Sequence, residues 1–361
     1  LVIGNYCDSA ALAAVSTSSQ PLEILLCIFL GIGSGISILV SQACGASDQA
    51  TLKKLLRAAV FFLYAAAVPL TALGLVLGPL LLKLMQVPPD ALPYAVQYLR
   101  IITVGILGNM GYNFNAGILR GLGNSSSSLM LLLVSCVVNI VLDLVLIINF
   151  NMGVLGAAVA TDVSQAISGV ISLIYLIKKF KILHMTRDEW KYSRSTCRRL
   201  SAMGLPMGLQ CTITAVGSVI MQWAVNGLGS SVVAAITAAG KTQNLLSCAL
   251  ESIGTAMATY AGQNLGAARL DRVRSGVKSS YIMVVAYSVL AFIALHFGDV
   301  VIIGLFLNTK TEVEIVAMAR DYMFWNSLFF IPLGAMQTCI VPVISYNYAA
   351  RNIDRCKKTL S

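Results

Sequence analysis

The sequence predicts an all-α membrane protein that crosses the bilayer many times and is built from two pseudo-symmetric helix bundles. Three observations lead to this fold class. The 361 residues have a mean hydropathy of +0.81 and are only 11% charged. Apolar runs recur at the length that crosses a bilayer, and the second half of the chain repeats the first. Soluble domains carry about 25% charged residues, so a large soluble core is excluded.

The apolar runs predict nine complete membrane spans, since a bilayer-crossing helix needs about 20 apolar residues. The spans lie near residues 16–43, 56–84, 95–117, 128–149, 154–177, 200–223, 232–261, 278–306 and 315–347. Residues 1–6 are predicted to be the tail of an earlier span. The chain is therefore expected to hold about nine or ten transmembrane helices.

Lysine and arginine concentrate on alternate loops between these spans. Most of the 25 Lys and Arg residues follow the first, third, fifth and seventh spans or close the chain, and the longest basic loop is 178–199. The positive-inside rule makes these loops cytoplasmic in a plasma membrane of the bacterial inner-membrane type. The net charge of +10 is then explained by topology, and no nucleic-acid partner is expected.

The long basic loop divides the chain into two lobes with related sequences. We predict an N-terminal lobe over 1–179, a cytoplasmic linker over 180–199 and a C-terminal lobe over 200–361. Gln42 and the pair Gly45-Ala46 recur 221 residues later as Gln263 and Gly266-Ala267. Both copies end in a basic loop, so they cross the membrane in the same direction. Parallel repeats of this kind build secondary transporters, which hold substrate between the lobes.

Enzymatic and metal-binding classes find no support in the sequence. The nine cysteines form no CxxC pair and are predicted to be reduced, packed thiols. His184 and His296 stand apart from other ligand types. There is no paired-acid, HExxH or Ser/His arrangement. We therefore expect a protein that is not an enzyme and that holds no metal or organic cofactor.

Polar residues inside the apolar runs are the candidate functional residues. Asn139 and Asp143 lie four apart, on one helical face, in the middle of a predicted span, where an Asp costs roughly 2.5–3.5 kcal/mol. Thr161 lies in the next span. Their oxygens could bind a sodium ion, or burial could tune the carboxylate for proton exchange. The structural alternative is an Asp that is only tolerated, with Asn139 and water as its partners.

Further polar residues are candidates for a substrate cleft. In the first half they are Asn109, Tyr112, Asn113 and Asn115, and in the second half Gln210, Gln222 and Asn226. Lipid does not accept so many amides, so some must face a cavity or a neighbouring helix. Interhelical hydrogen bonding is the open alternative. Glu251 is a second candidate proton carrier.

Several long motifs resemble multidrug and toxic compound extrusion transporters. They are "ILRGLGNSSSSL" (118–129), "NIVLDLVLIINFNMGVLGAAVATDVSQ" (139–165), "RRLSAMGLPMGLQ" (198–210), "VNGLGSSVVAAITAAGKTQNLL" (225–246) and "AGQNLGAARLDRV" (261–273). The resemblance covers about residues 1–335. It implies twelve helices in two six-helix bundles that export organic cations and other amphipathic compounds against inward H⁺ or Na⁺ flow. It also implies that Asn139, Asp143 and Thr161 form the cation-coupling site of the first lobe.

The chain departs from that family plan at both ends. Most of the first span of the plan, with its acidic residue, has no counterpart, and Asp8 does not match that residue. The final "ISYNYAARNIDRCKKTLS" resembles "GQNLGAARLDRV" a second time. A fragment, a chimera and a divergent member all stay open.

Alternative functions are a lipid-linked precursor flippase and an inactive transporter fragment. A flippase would favour a wide cationic cavity, whereas the candidate cleft residues carry little positive charge. Export of small cationic or amphipathic molecules is therefore preferred. A self-contained cleft between two lobes makes a monomer sufficient.

Overall fold

The computed structural model describes residues 9–84, 92–180, 193–226, 230–303, 313–325 and 328. These residues are helical with short turns and contain no strand. The helices are α1 (Ser9–Gly45), α2 (Gln49–Leu84), α3 (Leu92–Val104), α4 (Ile106–Gly121), α5 (Ser125–Leu144) with a π-helical turn (Val145–Asn149), α6 (Gly153–Lys179), α7 (Arg194–Asn226), α8 (Ser230–Gly266), α9 (Leu270–Ile303) and α10 (313–325). The predicted 1–6 tail, the centre of the 178–199 loop and most of the last predicted span lie outside the described residues.

Five of these helices are long and apolar enough to cross a membrane by length and composition. They cover Gln49–Lys83, Ser125–Asn149, Gly153–Lys179, Arg194–Val225 and Leu270–Phe297. Helix α5 shows the polarity expected in lipid. Its exposed side chains include Val137 and Val141, whereas Ser128 and Ser135 are buried against the protein. Small polar residues inside and aliphatic residues outside are typical of membrane helices.

The chain forms two compact units, Leu1–Val219 and Ile220–Ser361. In the first unit, α4 packs against α1, α2 and α6, and α5 packs against α6. The core of this unit includes Ile36, Met110 and Leu119, all fully buried. In the second unit, α8 and α9 pack together, and α10 lies against them. The predicted lobe bounds at 1–179 and 200–361 stay predictions.

The two related halves share a backbone and not only a sequence pattern. Helix α1 runs over 9–45 and α8 over 230–266, while α2 begins at 49 and α9 at 270. The turn between the helices contains Ser47 with φ 54° in one copy and Ala268 with φ 57° in the other. The Ser47 N–H donates to the Cys44 carbonyl and the Ala268 N–H to the Leu265 carbonyl, each at 3.0 Å. The predicted repeat at an offset of 221 residues is confirmed in the backbone.

Position 48 is where the two turns differ in charge. The Asp48 carboxylate accepts a hydrogen bond from the Thr51 N–H at 2.9 Å and caps the start of α2. The equivalent position in the second turn is Arg269. Hydrogen bonds from Thr51 hold the pKa of Asp48 below its usual range. A carboxyl group with a lowered folded-state pKa stabilises the fold above its unfolded pKa, and this contribution is lost as the pH falls through the folded value.

We therefore expect Asp48→Ala to lower the thermal stability of the purified protein at neutral pH. The difference from wild type should shrink as the pH falls below the ordinary aspartate range, because wild type then loses the charged cap as well. Thermal unfolding in detergent across a pH series measures this, with Arg269→Ala as the matched control in the other turn. A difference that stays constant down to the most acidic pH would contradict the prediction.

A helix break divides the third predicted span. The sequence predicted one span near 95–117, whereas the structure has α3 and α4 meeting at Gly105. The Gly105 N–H still donates to the Ile101 carbonyl at 3.0 Å, but the Gly108 N–H turns back to the Gly105 carbonyl at 2.9 Å. This i to i−3 bond is tighter than an α-helical one and marks the break between α3 and α4.

Candidate functional site

A stripe of small and polar residues runs along the inner face of α5. Ser128, Leu131 and Ser135 are buried, and Asn139 and Asp143 continue the same face towards the end of the helix. The spacing of three or four residues keeps these side chains on one side. The last two are half-buried. The predicted coupling residues therefore face the protein and not the lipid.

Helix α6 runs back along this stripe. The Ser135 hydroxyl donates to the Ser164 carbonyl at 3.4 Å, which fixes the register of the antiparallel pair. From this contact, one further turn along α5 brings Asn139 to the level of Thr161, and Asp143 lies about one more turn on. The Thr161 hydroxyl donates to the Ala157 carbonyl at 2.9 Å. Its oxygen lone pairs remain able to accept.

Two polar atoms of the stripe are buried without a hydrogen-bond partner among the described residues. They are Nδ2 of Asn139 and Oδ1 of Asp143. An unsatisfied buried polar group costs about 1–3 kcal/mol, more if charged, so each such group calls for a ligand, an ion or water. A donor and an acceptor are thus left open one helical turn apart. The open acceptor can bind a proton or a small cation, and the open donor can donate to a water molecule beside it.

Helix α5 ends in an irregular turn directly after Asp143. Residues Val145–Asn149 form a π-helical turn, and the Met152 N–H donates to the Leu146 carbonyl at 3.0 Å. Single π-helical turns are rare and concentrate at functional sites. This turn was not predicted from the sequence. The apolar run itself holds no Gly or Pro that would have signalled it.

Asp162 is a carboxylate within α6 that was not predicted as a functional residue from the sequence. It follows Thr161 directly, yet it faces α3 and α4 where these helices meet. An Asp near the centre of an apolar run was the available signal. The first unit therefore carries a second carboxylate within its helices, next to the junction of α3 and α4.

The predicted cleft residues of α4 bond mainly to protein groups. Asn115 Nδ2 donates to the Gly169 carbonyl at 3.1 Å and to the Ser172 hydroxyl at 2.9 Å. The Tyr112 hydroxyl donates to the Ser128 carbonyl at 3.4 Å. These contacts favour the interhelical alternative for both residues.

Asn109 and Asn113 pair with each other along α4. Asn113 Nδ2 donates to the carbonyl and to Oδ1 of Asn109, both at 2.9 Å. Both side chains are half-buried. Their role in substrate binding stays a prediction.

The remaining candidates lie on the later helices. Gln210 is exposed on α7, and Glu251 is exposed on α8 in the second unit. The side chains of Gln222 and Asn226 lie outside the described part of the chain. The six described cysteines are free thiols, and no three His, Cys, Asp or Glu residues among the described ones cluster closely enough to hold a metal ion.

Comparisons with known proteins agree on one family. A family model described as MatE matches residues 1–145 and 206–325. The probable multidrug resistance protein YpnP of Bacillus subtilis (strain 168) is 30% identical over 338 residues, which cover 92% of this chain and 74% of that protein. The FAD transporter of Shewanella oneidensis is 24% identical over 335 residues, covering 90% of this chain and 72% of that protein.

Two solved structures share the fold. One is an outward-facing conformation of a multidrug resistance MATE family transporter of the MOP superfamily, with a TM-score of 0.86 and 20% identity over 99% of this chain and 78% of that one. The other is a MOP superfamily transporter from Pyrococcus furiosus, with a TM-score of 0.84, 20% identity and the same coverage. At this identity the likeness concerns the fold alone.

Proposed function

Because the chain belongs to the MatE family of multidrug and toxic compound extrusion transporters, a family of multi-pass membrane proteins, we propose that it is a secondary antiporter. It exports organic cations and other amphipathic compounds in exchange for inward H⁺ or Na⁺. The observation that carries this proposal is the open pair on α5, where Asn139 Nδ2 and Asp143 Oδ1 are buried without a partner. A carboxylate whose oxygen has no hydrogen-bond partner can be neutralised when a proton or a sodium ion binds to it.

The mechanism assigns one role to each residue of the pair and one to Thr161. Asp143 binds the proton, or supplies the negative charge for sodium. Asn139 and Thr161 offer an amide and a hydroxyl oxygen to the same ion, as hard oxygen donors suit sodium. Ion binding from outside favours the state that releases substrate, and ion loss on the cytoplasmic side favours the state that accepts substrate. The 178–199 loop lies on the cytoplasmic side in this scheme, and a monomer carries out the full cycle.

A negatively charged site with few cations around it favours cationic substrates. An organic cation and the coupling ion can then compete for the same carboxylate, or the binding of one can change the affinity of that site for the other. The flippase alternative would require a cationic cavity for a lipid diphosphate, and no feature of the described α5–α6 region supports one.

Transport by the purified protein in liposomes tests the proposal. The liposomes carry a fluorescent organic cation inside, and a pH gradient or a sodium gradient is imposed separately. We expect release under one gradient and not under the other, which identifies the coupling ion. Release at the same rate with and without either gradient would contradict the antiport scheme. Transfer of a fluorescent lipid-linked precursor between leaflets, without cation release, would favour the flippase.

A further inference from the structure

We propose that a polar seam between α5 and α6 carries the coupling proton from Asp143 to the cytoplasmic end of α6. On α6 the seam consists of Thr161, Gln165, Ser168, Ser172, Tyr175 and Lys179. On α5 it consists of the polar side chains that face these residues. This inference rests on the proposed antiport and takes the proton as its coupling ion. It adds a route to the site formed by Asn139, Asp143 and Thr161.

The α6 side of the seam follows the helical period. Its residues are spaced alternately four and three apart, so they share one face of the helix. Val163, Val170 and Ile174 lie on the opposite face and are exposed. From Thr161 to Lys179 the polar face extends about 27 Å at 1.5 Å per residue, close to the ~30 Å hydrocarbon core of a bilayer. The seam is therefore long enough to join the coupling site to the membrane surface.

Helix α5 is held against this face by side-chain contacts. Near the cytoplasmic end of the pair, Asn124 Nδ2 donates to the Tyr175 hydroxyl at 3.2 Å, and the Ser127 and Tyr175 hydroxyls lie 2.6 Å apart. Further along, the Ser135 hydroxyl donates to the Ser164 carbonyl at 3.4 Å. The two helices thus enclose the stretch of the seam between Tyr175 and the coupling site.

Two atoms inside this stretch are buried without a hydrogen-bond partner among the described residues. They are Oγ of Ser168 and Oε1 of Gln165, and Ser168 is only 1% exposed. Serines that only pack membrane helices can bond back to their own helix. Ser164 does so to the Thr161 carbonyl and Ser172 to the Gly169 carbonyl, each at 2.8 Å.

The open Ser168 and Gln165 atoms call for water. A buried polar group without a protein partner is normally satisfied by an ordered water molecule, which itself needs two to four polar partners. Asn139 Nδ2 and Asp143 Oδ1 are open in the same way. Open polar atoms therefore recur along the seam from Asp143 to Ser168, and the hydroxyls of Ser172 and Tyr175 continue the line.

A chain of water and hydroxyl groups moves a proton without net change to itself. Protonated Asp143 gives its proton to the neighbouring water and is left as a carboxylate. Each water or hydroxyl in the line accepts one proton and gives another to the next group. The last group releases a proton to bulk water beside Tyr175, whose hydroxyl accepts a hydrogen bond from the exposed Lys179 at 2.6 Å.

Other titratable groups lie on the helices packed against α5 and must be separated from Asp143 in the test. They are Tyr112 and Arg120 of α4 and Asp162, Tyr175, Lys178 and Lys179 of α6. Asp162 faces Gly105 rather than α5. A signal that is present in wild type and absent in Asp143→Asn belongs to Asp143.

Time-resolved infrared spectroscopy after a pH jump tests the route without relying on transport. The protein is reconstituted with the 178–199 loop facing the outside of the liposome, and the outside is made alkaline. The carboxyl band that depends on Asp143 reports loss of its proton. In Ser168→Ala and in Gln165→Leu we expect this loss to slow about tenfold, the scale of one hydrogen bond removed from the line. The protonated fraction reached at equilibrium should equal that of wild type.

Ser164→Ala is the matched control. Its hydroxyl is also buried on α6, but it is bonded to the Thr161 carbonyl, so its loss leaves the open atoms of the seam in place. This variant should release the proton at the wild-type rate. Wild-type rates in both Ser168→Ala and Gln165→Leu would overturn the inference. A slowing accompanied by an equal change in the equilibrium fraction, or an equal slowing in Ser164→Ala, would overturn it too, because either result indicates a structural effect.

Transport in liposomes separates this inference from the proposed function. With a pH gradient, Ser168→Ala should lower the maximal rate of cation release and leave the substrate concentration for half-maximal rate unchanged. Slowed proton loss in the infrared experiment without any ion-driven release in wild type would refute the antiport and leave the route standing. Release driven by sodium alone, or proton-driven release at the wild-type rate in both seam variants, would refute the route and leave the antiport standing.

Discussion

Asp143→Asn is expected to reduce ion-driven export to the level of liposomes without protein. The amide has the shape of the carboxyl group but cannot take up a proton or offer a negative charge to sodium. Oδ1 of Asp143 has no hydrogen-bond partner among the described residues, so the substitution breaks no described contact of that atom. The protein should therefore still fold and insert. The measurement is release of a fluorescent organic cation under the gradient that drives wild type.

A matched substitution controls for the loss of an acid in general. Asp48→Asn makes the same chemical change in the exposed turn between α1 and α2, where asparagine can also cap the helix. We expect its export to equal that of wild type. If Asp143→Asn protein, correctly inserted, exports at the wild-type rate, Asp143 is structural and Glu251 becomes the next candidate.

Gly121→Ala is expected to give the largest loss of stability among the single-methyl changes considered. A Cβ at this position of α4 would lie 2.7 Å from the Ser37 carbonyl oxygen and 2.8 Å from Cγ1 of Val40, both on α1. Backbone cannot move aside as a flexible side chain can. Overpacking of this kind costs about 1–3 kcal/mol. Thermal or denaturant unfolding of the purified protein in detergent measures the loss.

Gly111→Ala is the control on the same helix. A Cβ there meets nothing within 4 Å. Alanine is the better helix former by about 0.5–1 kcal/mol, so this variant should be neutral or slightly more stable. Equal losses for the two variants would show that the α1–α4 crossing is looser than the described backbone distances indicate.

Helix positions and the internal repeat could be predicted because each rests on a pattern along the chain. The apolar runs predicted the helices. The recurrence of Gln42 and Gly45-Ala46 predicted the repeat, and the shared turn confirms it. The helix break at Gly105 could not be located in this way. Gly105, Gly108, Gly111 and Gly117 all lie in one run, and the close approach of the Asp162 side chain distinguishes Gly105 from the others.

The direction of polar side chains likewise depends on neighbours. Asn139 and Asp143 were predicted to share a face because their spacing alone requires it. Whether Asn115 faces a cavity or a helix depends on α6, which brings Gly169 and Ser172 to it. Asp162 was not predicted because attention to Thr161 suggested that this part of the helix was already accounted for. A helix places consecutive residues about 100° apart, so Asp162 faces different neighbours from Thr161.

The same turn recurs 221 residues later, and this fixed offset limits which sequence changes the two halves could accumulate. The helix ends at 45 and 266 coincide at this separation, and so do the helix starts at 49 and 270. One inserted residue would rotate everything after it by about 100° and carry an inward stripe to the lipid. Side-chain chemistry, by contrast, has changed freely, as from Asp48 to Arg269. The number of residues is thus what both copies keep, and an engineered exchange of the two turns should preserve the helix register when it keeps that number, although it would remove the cap that Asp48 gives α2.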